Sequence, residues 1–249
     1  MPRRPRGEAV KRRRPAARAP SGTDSKVSRA DTVYRGLRRA IIEQALGPGT
    51  KLPEDLVGRR FGVSRTIVRA ALARLAAESL VELHLNRGAT VAHPSLDEAH
   101  DVFDIRRSLE RLVVERLAGR LSRSDVARLK QHVAAEEQAR GRGGAESIRL
   151  AGEFHTLLAE LAGSSTLSRY VGELISRSSL ILAIYGRPHS PDCAVTEHRE
   201  IIDALVRGDA AAVRRLMDRH LDAIIGRALI AAPPPRRDIH DILGDYAAE

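Results

Sequence analysis

A three-residue break, Gly62-Val63-Ser64, separates two short segments of helical periodicity and constrains this chain more than any other feature. Before it, Glu54–Phe61 is two turns long, with Leu56, Val57 and Phe61 expected to face inward. After it, Ser64 is a good N-cap for a helix to about Ala77, whose Val68, Ala71, Leu72 and Leu75 share one face. Upstream, Asp31–Glu43 carries Val33, Leu37 and Ile41 at spacing four and ends at Gly47-Pro48-Gly49. Downstream, Leu80–Leu85 alternates as a strand, Asn86-Arg87-Gly88 turns the chain, and Ala89–Ala92 returns. Helix, helix, turn, helix and β-hairpin in that order make a winged helix-turn-helix, predicted over residues 30–93, with His93-Pro94 at the joint to the second domain.

From Ser95 onward only helical periods occur, over 95–119, 122–140, 145–162, 164–186, 191–207 and 209–230. Gly141–Gly144 and Gly208 mark breaks, and Asp209 can cap the last helix. The expected fold is mainly α: a winged helix-turn-helix followed by an all-α helical bundle over 95–230. Residues 1–29, rich in Pro, Arg and Ser, read as a disordered basic tail, and 231–249, after Pro233-Pro234-Pro235, as a flexible one. No apolar run approaches the roughly 20 residues of a membrane span, and the basic N-terminus lacks the apolar stretch of a secretory signal. Cys193 is the only cysteine, which excludes an intrachain disulfide and fits a cytoplasmic protein.

The formal net charge of +10 is unevenly placed. Residues 1–30 carry +8, residues 31–92 carry +4, and the remaining 157 carry −2. A positive excess confined to the first third points to a polyanion as partner of that third. In a helix-turn-helix the second helix lays its first residues against base edges in the major groove. Here those residues are Ser64, Arg65, Thr66 and Arg69. Arg65 and Arg69, four apart, point away from the Val68/Leu72/Leu75 stripe, and arginine there pairs with guanine or clamps phosphate. Thr66 can bond a phosphate or a base edge. Arg87 and Gly88 sit at the expected wing tip, where the chain can come close to a DNA backbone.

These residues resemble the DNA-binding domain of the GntR family of bacterial regulators. Leu52, Glu54, Leu56, the Phe61–Thr66 run, Val68-Arg69, Ala71-Leu72, Arg74-Leu75, Leu80-Val81-Glu82 and the Asn86–Ala89 wing carry the likeness over about residues 30–93. Two positions depart from it: Ser79 stands where the family has glycine, and Asp55 where some members carry a DNA-contacting arginine. The rest, over about 96–230, is similar to the FCD effector domain of the FadR subfamily. The matching segments are Asp104–Glu110, Glu153-Phe154-His155 with Leu158 and Ala162-Gly163-Ser164, Glu197-His198 with Ile201, Ala204 and Leu205, and His220-Leu221.

The residues themselves allow two readings of the histidines. His155 shares a stripe with Ile148, Ala151, Leu158 and Ala162, His198 with Val195, Ile202 and Leu205, and His220 with Val213, Met217 and Ile224. Each is a satisfied core residue, or the three converge, because His198 and His220 lie at about the same height either side of Gly208. Three convergent imidazoles suit Zn²⁺ or a similar divalent metal. The resemblance implies that second reading, since the matching family histidines bind metal, together with an aspartate four residues before the first; here that position is Ala151. Arg106 on an inward face either offers a planar fork to a carboxylate, as the resemblance implies for an organic-acid effector, or forms a salt bridge with Glu110.

The function expected is a sequence-specific transcriptional regulator that binds a double-stranded operator as a homodimer and responds to a small carboxylate effector. Alternatives are a metal-dependent enzyme of small organic acids, which lacks a recognisable nucleophile or acid/base near the histidines, and a non-specific architectural DNA protein.

Overall fold

The structure is a computed structural model that describes residues 28–85, 87–139, 144–186 and 192–227. Residues 1–27 of the expected basic tail, all of the tail expected at 231–249, and Asn86 of the wing turn lie outside the described residues. Helix α1, Arg29–Ile42, begins two residues before its predicted start, inside the segment assigned to the basic tail. The cause is Ser28, whose hydroxyl accepts the Asp31 N–H at 3.2 Å and so caps the first turn. Val33, Leu37 and Ile41 are buried, as their spacing requires.

Helix α2, Glu54–Phe61, buries Val57 and Gly58 but not the other residues expected inside. Leu56 is 49% exposed and Phe61 37%. Neighbours in a helix differ by about 100° in direction, so Leu56 and Val57 cannot both face the core. The Phe61 ring lies over the backbone of Gly36 on α1 and stays half open. Gly62, at φ 64°, closes α2 in the left-handed conformation, its N–H on the Gly58 carbonyl. Helix α3, Arg65–Ala77, buries Val68, Ala71, Leu72 and Leu75. Ser64 has the extended backbone of an N-cap, but its side chain makes no capping bond.

The predicted hairpin is present as β2, Val81–His84, and β3, Gly88–Val91. A third strand, β1 at Lys51–Leu52, pairs antiparallel with β3, so the order is β1-β3-β2. Gly88 has a different role from the one its turn position suggested. It is buried at φ 87°, and a Cβ would collide with the Leu52 carbonyl oxygen. Close approach of β1, rather than exposure at a wing tip, is what requires glycine there.

The second half consists, among the described residues, of α4 (Leu96–Leu117), α5 (Arg123–Ala139), α6 (Gly144–Leu161), α7 (Ser165–Tyr185), α8 (Asp192–Arg207) and α9 (Ala210–Arg227). Ser95 and Ser164 cap α4 and α7 with their hydroxyls, and Asp209 caps α9 by accepting the Ala212 N–H at 2.8 Å. Helix α4 packs on α6, α7 and α9, and α5 on α6 and α8. The bundle core runs from Val113 and Val114 through Phe154 and Leu158 to Ile201, Val213 and Met217.

The two halves share a core residue. Leu180 of α7 is fully buried in the cluster built on Val33, Leu37, Val68, Leu72 and Leu75. Around it, Arg38 of α1 reaches Ser176 Oγ at 2.6 Å and Glu78 at 3.1 Å. Arg177 of α7 donates to the Ser79 carbonyl just past the end of α3 and pairs with Glu98. Arg149 of α6 reaches Glu43 at 3.1 Å.

Candidate functional site

Two sites emerge, one on the surface of the N-terminal half and one inside the bundle. On the surface, Ser64, Arg65, Thr66 and Arg69 are all exposed along the first turns of α3, and Arg87 is exposed beside β3. The arginines are nonetheless engaged. Arg65 donates from Nε and Nη2 to the two carboxylate oxygens of Asp55, the second bond at 2.8 Å. Arg69 Nε lies 2.9 Å from both oxygens of Glu54, and this pairing raises the already high pKa of Arg69. Both acids open α2, where unpaired backbone N–H groups favour negative charge.

Inside the bundle, α6, α8 and α9 bring His155, His198 and His220 together, each at most 2% exposed. Phe154, the residue before His155, stacks on the His198 ring at 3.9 Å between centroids and fixes its plane. His220 Nε2 lies 3.1 Å from His155 Nε2 and 3.3 Å from His198 Nε2. The opposite nitrogen of each ring meets a carboxylate: His155 Nδ1 with Glu110 at 2.5 Å, His198 Nδ1 with Glu136 at 2.8 Å, and His220 Nδ1 with Glu197 at 2.6 Å. A carboxylate only accepts, so each Nδ1 carries a hydrogen and, in the neutral ring, Nε2 is left to present its lone pair.

The charge states are set by the surroundings. Burial alone would push Glu110 up, but Arg106, at 2.5 Å through Nε, and His155 outweigh it and hold the carboxyl at about 2. Burial pushes His155 down to about 4 against the pull of Glu110, which leaves the ring neutral near pH 7. Glu136 is likewise lowered, its burial outweighed by His132 and His198. His132 Nε2 lies 2.9 Å from the Leu150 carbonyl of α6, which ties the outer side of this network to that helix.

In their neutral form, three Nε2 lone pairs facing one another at this range would repel unless a cation lay between them. With metal–nitrogen bonds of about 2.0–2.1 Å, tetrahedral ligands are separated by about 3.3 Å, close to the 3.1 and 3.3 Å from His220 Nε2 to the other two. The donor set therefore fits a divalent metal, and the three carboxylates lie where outer partners would hold metal-binding histidines in one tautomer. Ala151, one turn before His155, lines the same space and offers no ligand.

A cavity of about 90 Å³ adjoins the triad, lined by Arg106, Ala151, Ser178, Ser179, Ile175 and Leu182 among others. Arg106 makes the expected salt bridge with Glu110 and also borders the cavity. A larger cleft of about 740 Å³ lies between α1 and the bundle, beside Arg35, Arg38, Arg39 and Arg149. Each of those arginines is already paired with a glutamate or aspartate.

The histidines and Arg106 were legible in the sequence, but Glu136, Ser178 and Ser179 were not, and Glu110 only as the partner of Arg106. Glu136 did carry a signal. It continues the inward stripe of Leu129 and Val133, and an acid in such a stripe needs a buried partner.

Comparison with known proteins agrees with this architecture. The family of bacterial regulatory proteins called gntR matches residues 29–91, and the FCD domain matches residues 101–223. The HTH-type transcriptional repressor RspR of Escherichia coli K12 is 30% identical over 194 residues, covering 77% of this chain and 85% of that protein. The Uxu operon transcriptional regulator of the same organism is 27% identical over 217 residues, covering 78% and 84%. Among solved structures, E. coli McbR/YncC superposes with a TM-score of 0.74 at 21% identity, covering 81% of this chain and 97% of that one. A GntR regulator of Rhodococcus sp. RHA1 gives 0.66 at 26% identity, covering 82% and 99%. No described helix is long and apolar enough to cross a membrane. The chain belongs to the GntR family, with an FCD domain as its helical half, and is a DNA-binding transcriptional regulator rather than an enzyme.

Proposed function

We propose that this regulator is a cytoplasmic homodimer whose bundle binds one divalent metal per chain at His155, His198 and His220 and a small carboxylate beside it, and that this binding changes its hold on a two-fold operator. The observation that carries the reading is the convergence of three Nε2 lone pairs, each fixed by a carboxylate behind its ring, on the wall of a cavity that Arg106 borders. A bound metal supplies a positive charge with open positions, which attracts a carboxylate. Arg106 spends Nε on Glu110 and, among the described residues, makes no hydrogen bond through Nη, so its outer fork remains for an anion. Ser178 and Ser179 line the cavity from α7. The size of the cavity favours a ligand of a few carbon atoms.

On the DNA side, the exposed row of Ser64, Arg65, Thr66 and Arg69 would face the major groove, with the exposed Arg87 against the flanking phosphates. One such helix reads one half-site, which is why a dimer is proposed. The signal would pass through α7, whose Ser178 and Ser179 line the cavity while Ser176, Arg177 and Leu180 hold α1 and the end of α3.

The test is metal analysis and calorimetric titration of Zn²⁺ into chelator-treated wild type and the H155A/H198A/H220A variant, followed by small carboxylates into the metal-loaded protein. Uptake of one equivalent by wild type alone is expected, with carboxylate binding lost in R106A. Equal, negligible uptake by both proteins would reduce the histidines to core residues.

A further inference from the structure

Two acids stand beside the surface that meets DNA. Glu54 and Asp55 are consecutive, and they bind the two arginines of the recognition helix. Opposite a polyanion each carboxylate opposes association, so neither contributes affinity.

The geometry of the Asp55 pair gives it another use. A guanidinium offers five N–H donors along three edges. Asp55 takes the Nε–Nη2 edge of Arg65 with both its oxygens. That clasp fixes the plane of the group and leaves the Nη1–Nη2 edge pointing away from the carboxylate. The remaining edge is the fork that matches O6 and N7 of a guanine. A free arginine at the same place would also fold onto phosphates. Glu54 acts on Arg69 through Nε alone, a looser hold.

We infer that Asp55 is a specificity-determining residue: it clamps Arg65 with its outer fork free for a guanine in each operator half-site and trades general affinity for DNA against discrimination. This rests on the reading that α3 enters the major groove, and Arg65 tests that reading separately. The Asp55 and Arg65 side chains are exposed, so substitution there leaves the core untouched.

The experiment starts with wild type and a random-sequence duplex library, from which selection and sequencing give the preferred site. Binding to that duplex, and to one with the enriched guanine replaced, is then measured for wild type, D55N, D55A and R65A over a range of salt concentrations. For D55N and D55A, tighter binding to the substituted duplex and a fall of about tenfold in the ratio of the two affinities are expected. The salt dependence should steepen by about one phosphate contact, because Arg65 is released to the backbone. If both duplexes gain equally and the ratio is unchanged, Asp55 is only a repulsive charge and the inference is overturned. If R65A keeps the wild-type preference, or wild type enriches no guanine, Arg65 reads no guanine and the inference is overturned together with that part of the proposed interface.

Discussion

Replacing Glu110 with glutamine tests the buried centre most directly. Glu110 is 2% exposed and accepts two hydrogen bonds, from Arg106 Nε and from His155 Nδ1, both at 2.5 Å. Glutamine keeps the shape, but its amide has one oxygen and one NH₂, so only one of those two donors can be satisfied, and the guanidinium loses its counter-charge. Leaving one member of a buried ion pair uncompensated costs about 3–5 kcal/mol, against a total of about 5–15 kcal/mol for a typical domain. E110Q should be destabilised by that amount at pH 7 in chelator, read by urea unfolding.

The pH dependence gives the sign. The Glu110 pKa falls from 4.5 to about 2 on folding, so its contribution is complete above 4.5 and fades as pH drops toward 2. The gap between wild type and E110Q should therefore narrow between pH 5 and 3. His155, lowered from 6.5 to about 4, takes up protons more readily unfolded than folded, so wild type should already lose stability from pH 6.5 down to 4. With its Nδ1 hydrogen no longer held by a carboxylate, His155 should also weaken Zn²⁺ binding about 10–100-fold. A variant within about 1 kcal/mol of wild type at pH 7, or a gap that does not change with pH, would refute the reasoning.

Two other perturbations probe the joint between the halves and the basic tail. L180A should lower stability by about 2–5 kcal/mol, because the side chain is fully buried in the N-terminal core although it belongs to α7, and calorimetry should show the two halves melting separately; an unchanged single transition would show that Leu180 does not join them. Deleting residues 1–27, which carry nine Lys and Arg and leave the Ser28 cap of α1 in place, should flatten the salt dependence of DNA binding without altering the preferred sequence, a result checked by repeating the library selection.

The winged helix was legible because its apolar residues keep one period in each segment and its breaks are marked by Gly62 and Gly47-Pro48-Gly49. The triad was legible because each histidine interrupts an apolar stripe and Gly208 sets two of them level. What escaped depends on which helices become neighbours. Glu136 meets His198 across 62 residues of sequence, and no local pattern encodes that pairing. Strand β1 is two residues long, below the length at which alternation can be seen. Leu56 was misplaced because an apolar residue in a short helix does not say which of two adjacent directions faces the core.

In the proposed function helix α7 would couple the two sites, because one turn of it touches both halves. Ser178 and Ser179 line the cavity, while Ser176, Arg177 and Leu180 hold Arg38, the Ser79 carbonyl and the N-terminal core. Helical geometry makes these contacts inseparable: a rotation that moves Ser179 toward a ligand moves Leu180 in the same rigid turn. Close packing resists a partial adjustment, so a response to a ligand would move the turn as a whole. A ligand shifts that balance only by its difference in affinity for the positions, commonly about 1–3 kcal/mol, or roughly 5–150-fold in DNA affinity. The same linkage runs backward, so operator DNA would change the affinity for the proposed carboxylate by the same factor. A ligand that bound without that reciprocal effect would occupy the cavity without moving α7.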